Sequence, residues 1–187
     1  CLVSWAREMC IRDRIQALLD HHAREFSELY TKERITLLED IIIVYEYIWT
    51  LLDEQPKTLI HNAFNPTNLA MRTSYETCIY DWETATIHIP QHDLCEFLLF
   101  VLPTENFIEE QQKYVDLYIE NLSINTRQAL DFNIFWKGYY ACHQDIALNR
   151  LNLYMMEYTF KGYEFLPRAV ENNFTFLEHM KNNYNSY

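Results

Sequence analysis

Helical periodicity stops at Pro56 and resumes only at Gln91, and nothing else in the chain constrains its fold as much. Upstream, residues 34–53 carry Leu38, Ile41, Ile42, Tyr45, Ile48, Trp49 and Leu52 at three- and four-residue spacing, the stripe of an amphipathic helix. Gln55-Pro56 ends that stripe, because proline has no N–H to donate and disfavours a helical residue before it. Three short apolar runs follow, at 58–60, 69–72 and 78–82. Each is too short for a helix, and they predict short strands, the last two joined by a polar turn at 74–77. The helical pattern then returns with Leu94, Phe97, Leu98 and Val101 and stops at Pro103. Further helices are predicted at 107–122, over a long stretch near 126–159, and at 168–182; another precedes them at 15–30. The expected class is mainly α with a small β-hairpin (α+β), in one domain without linker or repeat.

Composition narrows the functions open to such a chain. Its 187 residues suffice for one core, and 49% of them are apolar, so disorder is not expected. Only 2 residues are Gly, and neither G-x-G-x-x-G nor G-x-x-x-x-G-K-[ST] occurs, which excludes the glycine-rich phosphate cradles. A formal charge of −12 argues against a nucleic-acid partner. No apolar run approaches the ~20 residues that span a bilayer, so no membrane partner is expected. Five cysteines without a C-x-x-C pair read as reduced thiols, which points to a cytoplasmic protein.

The chain begins at Cys1 rather than Met, and EMCIRDR resembles a translated sequencing-adapter read. Residues 1–14 are therefore expected to be non-native or disordered, with a genuine helix start as the alternative.

Chemistry is expected where helical periodicity is interrupted. His61-x-Ala63-x-x-x-x-Asn68 follows the first short run, and Asp81-Trp82-Glu83 closes the third. PQHDL then places Asp93 near the start of the next helix. Taken together, these motifs and their separation resemble the catalytic core of the aminoglycoside phosphotransferase and choline kinase family, a branch of the protein-kinase-like fold. The family's loop reads H-x-D-x-x-x-x-N and its metal segment D-x-D or D-x-E. The resemblance covers roughly residues 34–180, the larger C-terminal lobe, and residues 15–187 are expected to form that lobe with the N-terminal lobe missing.

The resemblance implies ATP and Mg²⁺ as cofactors and a small-molecule hydroxyl as acceptor. Asn68 and Asp81 would meet the nucleotide's metal, since hard cations take oxygen ligands, and Glu83 would join them if the strand persists and points it the same way. Asp93 would brace the loop, and His61 would be a packed structural residue. Two departures matter. Ala63 stands where the family has the Asp that deprotonates the acceptor, and losing such a base typically costs ~10²–10⁴ in rate. Nothing before His61 resembles the lysine-bearing β-rich lobe that covers ATP in this fold. The reading is a fragment of a phosphotransferase, inactive as an isolated chain. The alternatives are a pseudokinase that binds or regulates without transfer, or a kinase-like site put to other chemistry.

Weaker candidates remain. His88, His92 and Cys95 have metal-like spacing, but Pro90 interrupts the helical face that they would need. His143 on an aromatic-rich helix reads as packed, and Trp136, Tyr139, Tyr140, Tyr154 and Tyr158 as core.

Overall fold

The computed structural model describes residues 2–74, 76–127 and 129–183. Eight α-helices and two small ribbons make up the described residues. The helices are α1 (Leu2–Glu25), α2 (Lys32–Ile43), α3 (Tyr45–Glu54), α4 (Gln91–Val101), α5 (Phe107–Thr126), α6 (Phe132–Asp145), α7 (Asn152–Lys161) and α8 (Leu166–Asn183). The strands are β1 (Thr58–Ile60), β2 (Leu69–Met71), β3 (Thr77–Ile79) and β4 (Thr86–His88). The class is mainly α with a small amount of β. Residues 2–14, whose order was in question, lie within α1; Cys1 falls outside the described residues, as does Tyr75 in the turn at 74–77.

Several boundaries differ from expectation for identifiable reasons. The stripe over 34–53 is two helices that break at Val44, whose N–H reaches back to the carbonyls of Ile41 and Ile42. Ile41, Ile42, Ile43 and Val44 are four successive β-branched residues, which crowd the preceding turn. The break exposes Ile43 and Val44 and turns Tyr45, Ile48 and Leu52 into the core. Gln55 is extended, as a residue before proline should be. The long stretch after residue 126 is divided three ways. Arg127, at φ 55, ends α5, and Asp131 starts α6 by accepting the N–H groups of Asn133 and Ile134. A π-helical segment, Ile146–Leu151, then separates α6 from α7.

The ribbons position the site. β2 pairs antiparallel with β3, Leu69 opposite Ile79 and Met71 opposite Thr77. Unexpectedly, β1 pairs with β4, Thr58 opposite His88 and Ile60 opposite Thr86. The β2–β3 hairpin is thus inserted between β1 and β4. The segment leaving β1 and the segment returning from β3 must therefore lie together where the ribbons meet. Behind them α4 packs on α6 and α8, and α3 on α6. Leu99, Tyr139, Cys142, Ile146, Leu148 and Ala169, each 0% exposed, form part of that core.

Candidate functional site

The loop from His61 to Asn68 is held by its backbone, group by group. Asp93, in the first turn of α4, accepts the N–H of His61 at 2.6 Å on Oδ2 and that of Asn62 at 2.9 Å on Oδ1. Such charge-assisted bonds are shorter and about twice as strong as neutral ones. The Ala63 carbonyl accepts from Asn68 Nδ2 at 2.9 Å and from the Asn65 N–H at 3.0 Å. Asn65 in turn caps the short 3₁₀ turn Pro66–Asn68 by accepting the Thr67 N–H at 3.0 Å. His61 is 2% exposed, and its Nε2 donates to the Tyr80 carbonyl at 2.8 Å while its ring lies 4.7 Å from that of Trp82. Position 63 therefore has a fully specified backbone carrying only a methyl group.

The returning segment meets this loop. The Tyr80 N–H donates to the Asn68 carbonyl at 3.1 Å, one step beyond the β2–β3 ladder, which sets Asp81 beside Asn68. Asp81 has φ 65 and ψ 56, a left-handed conformation that costs a non-glycine residue of order 1 kcal/mol. It precedes the 3₁₀ turn Trp82–Thr84 without using its side chain as a cap, and it is exposed. Among the described residues, non-glycine positive φ occurs at Asn62, Asp81 and Arg127, and two of these three belong to the segments that form this site. The strand does not persist to Glu83. β3 ends at Ile79, Asp81 reverses the chain, and the 3₁₀ turn spaces residues by a third of a revolution. Glu83 is exposed, and strand alternation does not align it with Asp81.

Sequence spacing did not show how much the rest of the lobe contributes. Arg150, from the π-helical segment, donates from Nη1 to the Asn62 carbonyl and from Nη2 to Asn62 Oδ1, both at 2.6 Å. Asn62 Nδ2 passes on to the Thr84 carbonyl at 3.0 Å, and Thr84 Oγ1 donates to the His61 carbonyl at 3.3 Å. Glu96 lies one turn after Asp93 on α4, is 0% exposed, and sits 3.7 Å from Arg150 while accepting the Tyr154 hydroxyl at 2.9 Å. Burial pushes its carboxyl above the usual range, and Arg150 pulls it only part of the way back. The guanidinium stays firmly charged: burial is the largest single influence and lowers it, but Glu96, Tyr154 and Asp145 together more than offset that cost. Asp145, likewise raised by burial, gathers Asn149 and the Tyr45 hydroxyl.

The weaker candidates are packed residues. His88 Nδ1 accepts the Ile89 N–H at 2.8 Å, and Cys95 is 0% exposed with its thiol pushed up by burial. Among the described residues no three His, Cys, Asp or Glu side chains gather as a metal-binding group. His143 is fully buried, bonds Asn173 through Nδ1 at 2.6 Å and stacks on Phe176 at 3.9 Å. A cavity of about 270 Å³ opens beside the loop, lined by Leu59, Ile60, Phe64, Asp93, Leu94 and Tyr118 among others.

A histidine-anchored loop is thus gripped by Asp93 from α4, with Asp81 following just after the β2–β3 hairpin. The chain matches the model of the phosphotransferase enzyme family over residues 5–132 and belongs to that family. No curated protein and no solved structure matches it. No helix among the described residues is long and apolar enough to cross a membrane.

Proposed function

We propose that this chain is the helical lobe of an ATP- and Mg²⁺-dependent phosphotransferase acting on a small hydroxyl compound in the cytoplasm, with transfer held back at Ala63. The observation that carries the reading is the loop 61–68 fixed around position 63 and joined through the Asn68 carbonyl to the N–H of Tyr80, the residue before Asp81. The donor set suits the metal. Asn68 spends Nδ2 on the Ala63 carbonyl, which leaves Oδ1 as its available oxygen, and the Asp81 carboxylate makes no local cap. Two hard oxygen donors fall short of a full shell, as expected for Mg²⁺, which takes one or two protein carboxylates and fills the rest with phosphate and water. Bound there, the ion would neutralise charge on the transferring phosphate. The chain's part is to hold Asn68 and Asp81 together and to present position 63 to the acceptor. The cavity beside Phe64 suits a small acceptor in scale. The reading calls for a second, β-rich lobe carrying a lysine for the nucleotide phosphates.

Ala63 favours a second reading, a pseudokinase that holds nucleotide and metal without transfer. A methyl group accepts no proton, and the neighbouring Asn62 and Asn65 amides are neutral at pH 7. The two readings separate by experiment. Mg²⁺ or Mn²⁺ with ATP should raise the melting temperature of the chain through mass action, and Asp81→Asn should abolish that shift. Absence of any shift in the unsubstituted protein sinks both readings. With the second lobe present, Ala63→Asp should raise phosphoryl transfer ~10²–10⁴-fold if position 63 holds the missing base. Unchanged transfer would leave the pseudokinase reading standing.

A further inference from the structure

We propose that Asn62, clamped by Arg150, is the strut that aligns the 61–68 loop with the turn carrying Asp81 and Glu83. Asn62 makes three contacts with two partners that no local motif brings together. Its carbonyl and Oδ1 take both arms of one guanidinium, and its Nδ2 reaches the Thr84 carbonyl on the opposite segment. The side-chain orientation is fixed by chemistry, because arginine only donates and a backbone carbonyl only accepts. The left-handed backbone at φ 60 is what lets one residue face both ways, and asparagine is among the few residues that adopt it readily. Thr84 closes the link by donating to the His61 carbonyl at 3.3 Å.

Arg150 is placed for this role by the π-helical segment, a widened turn of a kind that recurs at functional sites. Its charge is balanced by buried Glu96, which stands on the same face of α4 as Asp93. The loop is thus gripped from both sides: Asp93 holds the N–H groups of 61 and 62, and Arg150 holds the carbonyl and side chain of 62. Asp93 fixes the loop to α4. Asn62, held by Arg150, instead ties it to Thr84 at the end of the turn that follows Asp81, so the pair sets the separation between the acceptor side and the metal side of the site. Both are positioning residues.

The test does not depend on turnover. Amide hydrogen exchange at His61, at position 62 and at Ala85, whose N–H bonds the Trp82 carbonyl, is followed by NMR in the whole chain. Asn62→Gly keeps the left-handed backbone available and removes only the strut. Exchange at Ala85 should quicken at least ~10-fold, while core amides in α4 and α6 stay within about twofold. Arg150→Met should loosen His61, position 62 and Ala85 together. Should that variant unfold because Glu96 is left unpaired, Glu96→Gln with Arg150→Met keeps the charge balanced and should give the same local pattern. Arg150→Lys should restore it only in part, because an ammonium cannot make the forked contact. Exchange at Ala85 unchanged in Asn62→Gly overturns the proposal, as does a loss of protection spread evenly over the core. The inference concerns the same site as the proposed function but fails separately. A chain that binds no Mg²⁺–ATP yet shows the local loosening would sink the phosphotransfer reading and keep the strut.

Discussion

Removing the Asp93 carboxylate should cost more than any single exposed charge in the chain. In Asp93→Ala the N–H groups of His61 and Asn62, bonded at 2.6 and 2.9 Å, lose their acceptor. Neither gains free access to water, since His61 is buried and Asn62 half-buried. Each stranded donor costs ~1–3 kcal/mol. Taking the upper half of that range for buried His61 and the lower for Asn62 gives about 4 kcal/mol. That is a large share of the ~5–15 kcal/mol by which a domain of this kind is stable. Asp93→Asn keeps one acceptor oxygen but turns an NH₂ toward a backbone donor, so it should recover less than half of the loss. Urea unfolding of the two variants with unchanged slope measures the global part, and hydrogen exchange at His61 and position 62 measures local opening of the loop. If Asp93→Ala lies within ~0.5 kcal/mol of the parent and exchange at both amides is unchanged, the carboxylate does not brace the loop and the accounting is wrong.

Two further outcomes follow from groups away from the loop. Burial lowers His22 to about 4 and His92 and His143 to about 3, from 6.5. Their folded values are depressed, so the stability they contribute is whole above about 6.5 and is lost as pH falls toward about 3. Glu96 and Asp145, raised by burial, act in the opposite sense. Net uptake on unfolding should be about one to three protons, or ~1–4 kcal/mol per pH unit at the steepest point; urea midpoints flat from pH 6.5 to 4.5 would refute it. At Gly138 an added Cβ would stand 2.7 Å from Gln91 Nε2 and 3.2 Å from Gln55 Oε1. Gly138→Ala should therefore destabilise by ~1 kcal/mol in thermal or urea unfolding, overpacking outweighing the helix-propensity gain, and a more stable variant would show that the two glutamines can move aside.

What the sequence disclosed depended on how far apart the interacting residues lie. Pro56 marked the end of α3, and Thr58–Ile60 and Gln91–Val101 were legible because each element's own pattern defines it. Asp93 was legible through its motif, although it acts across 32 positions. β4 was not: Thr86–His88 pairs with a strand on the far side of a whole hairpin, and exposed Ile87 spoils any alternation. The break at Val44 was hidden because the apolar stripe runs through it without a proline or glycine. Arg150 was beyond reach for a different reason. It meets Asn62 from 88 positions away, and a single arginine in an apolar stretch signals a buried charge without naming its partner. Its buried counterpart Glu96 went unread as well, although it lies three residues from Asp93 and so on the same helical face.

The scaffold also explains why an alanine can stand at position 63 without disturbing the fold. Every contact that shapes the loop there uses backbone groups or neighbouring side chains. Asp93 takes the two N–H groups before it, Asn68 and Asn65 meet its carbonyl, and Arg150 holds the carbonyl of Asn62. None of these bonds involves the side chain at 63, which is half-exposed. Truncation there leaves no buried group stranded and opens no sealed cavity, so neither of the usual large penalties applies. On the proposed function its consequence falls on proton transfer alone. Position 63 is thus a place where chemistry can be lost or regained independently of stability. Ala63→Asp should fold as well as the parent, and whatever it changes in phosphoryl transfer can be read as chemistry.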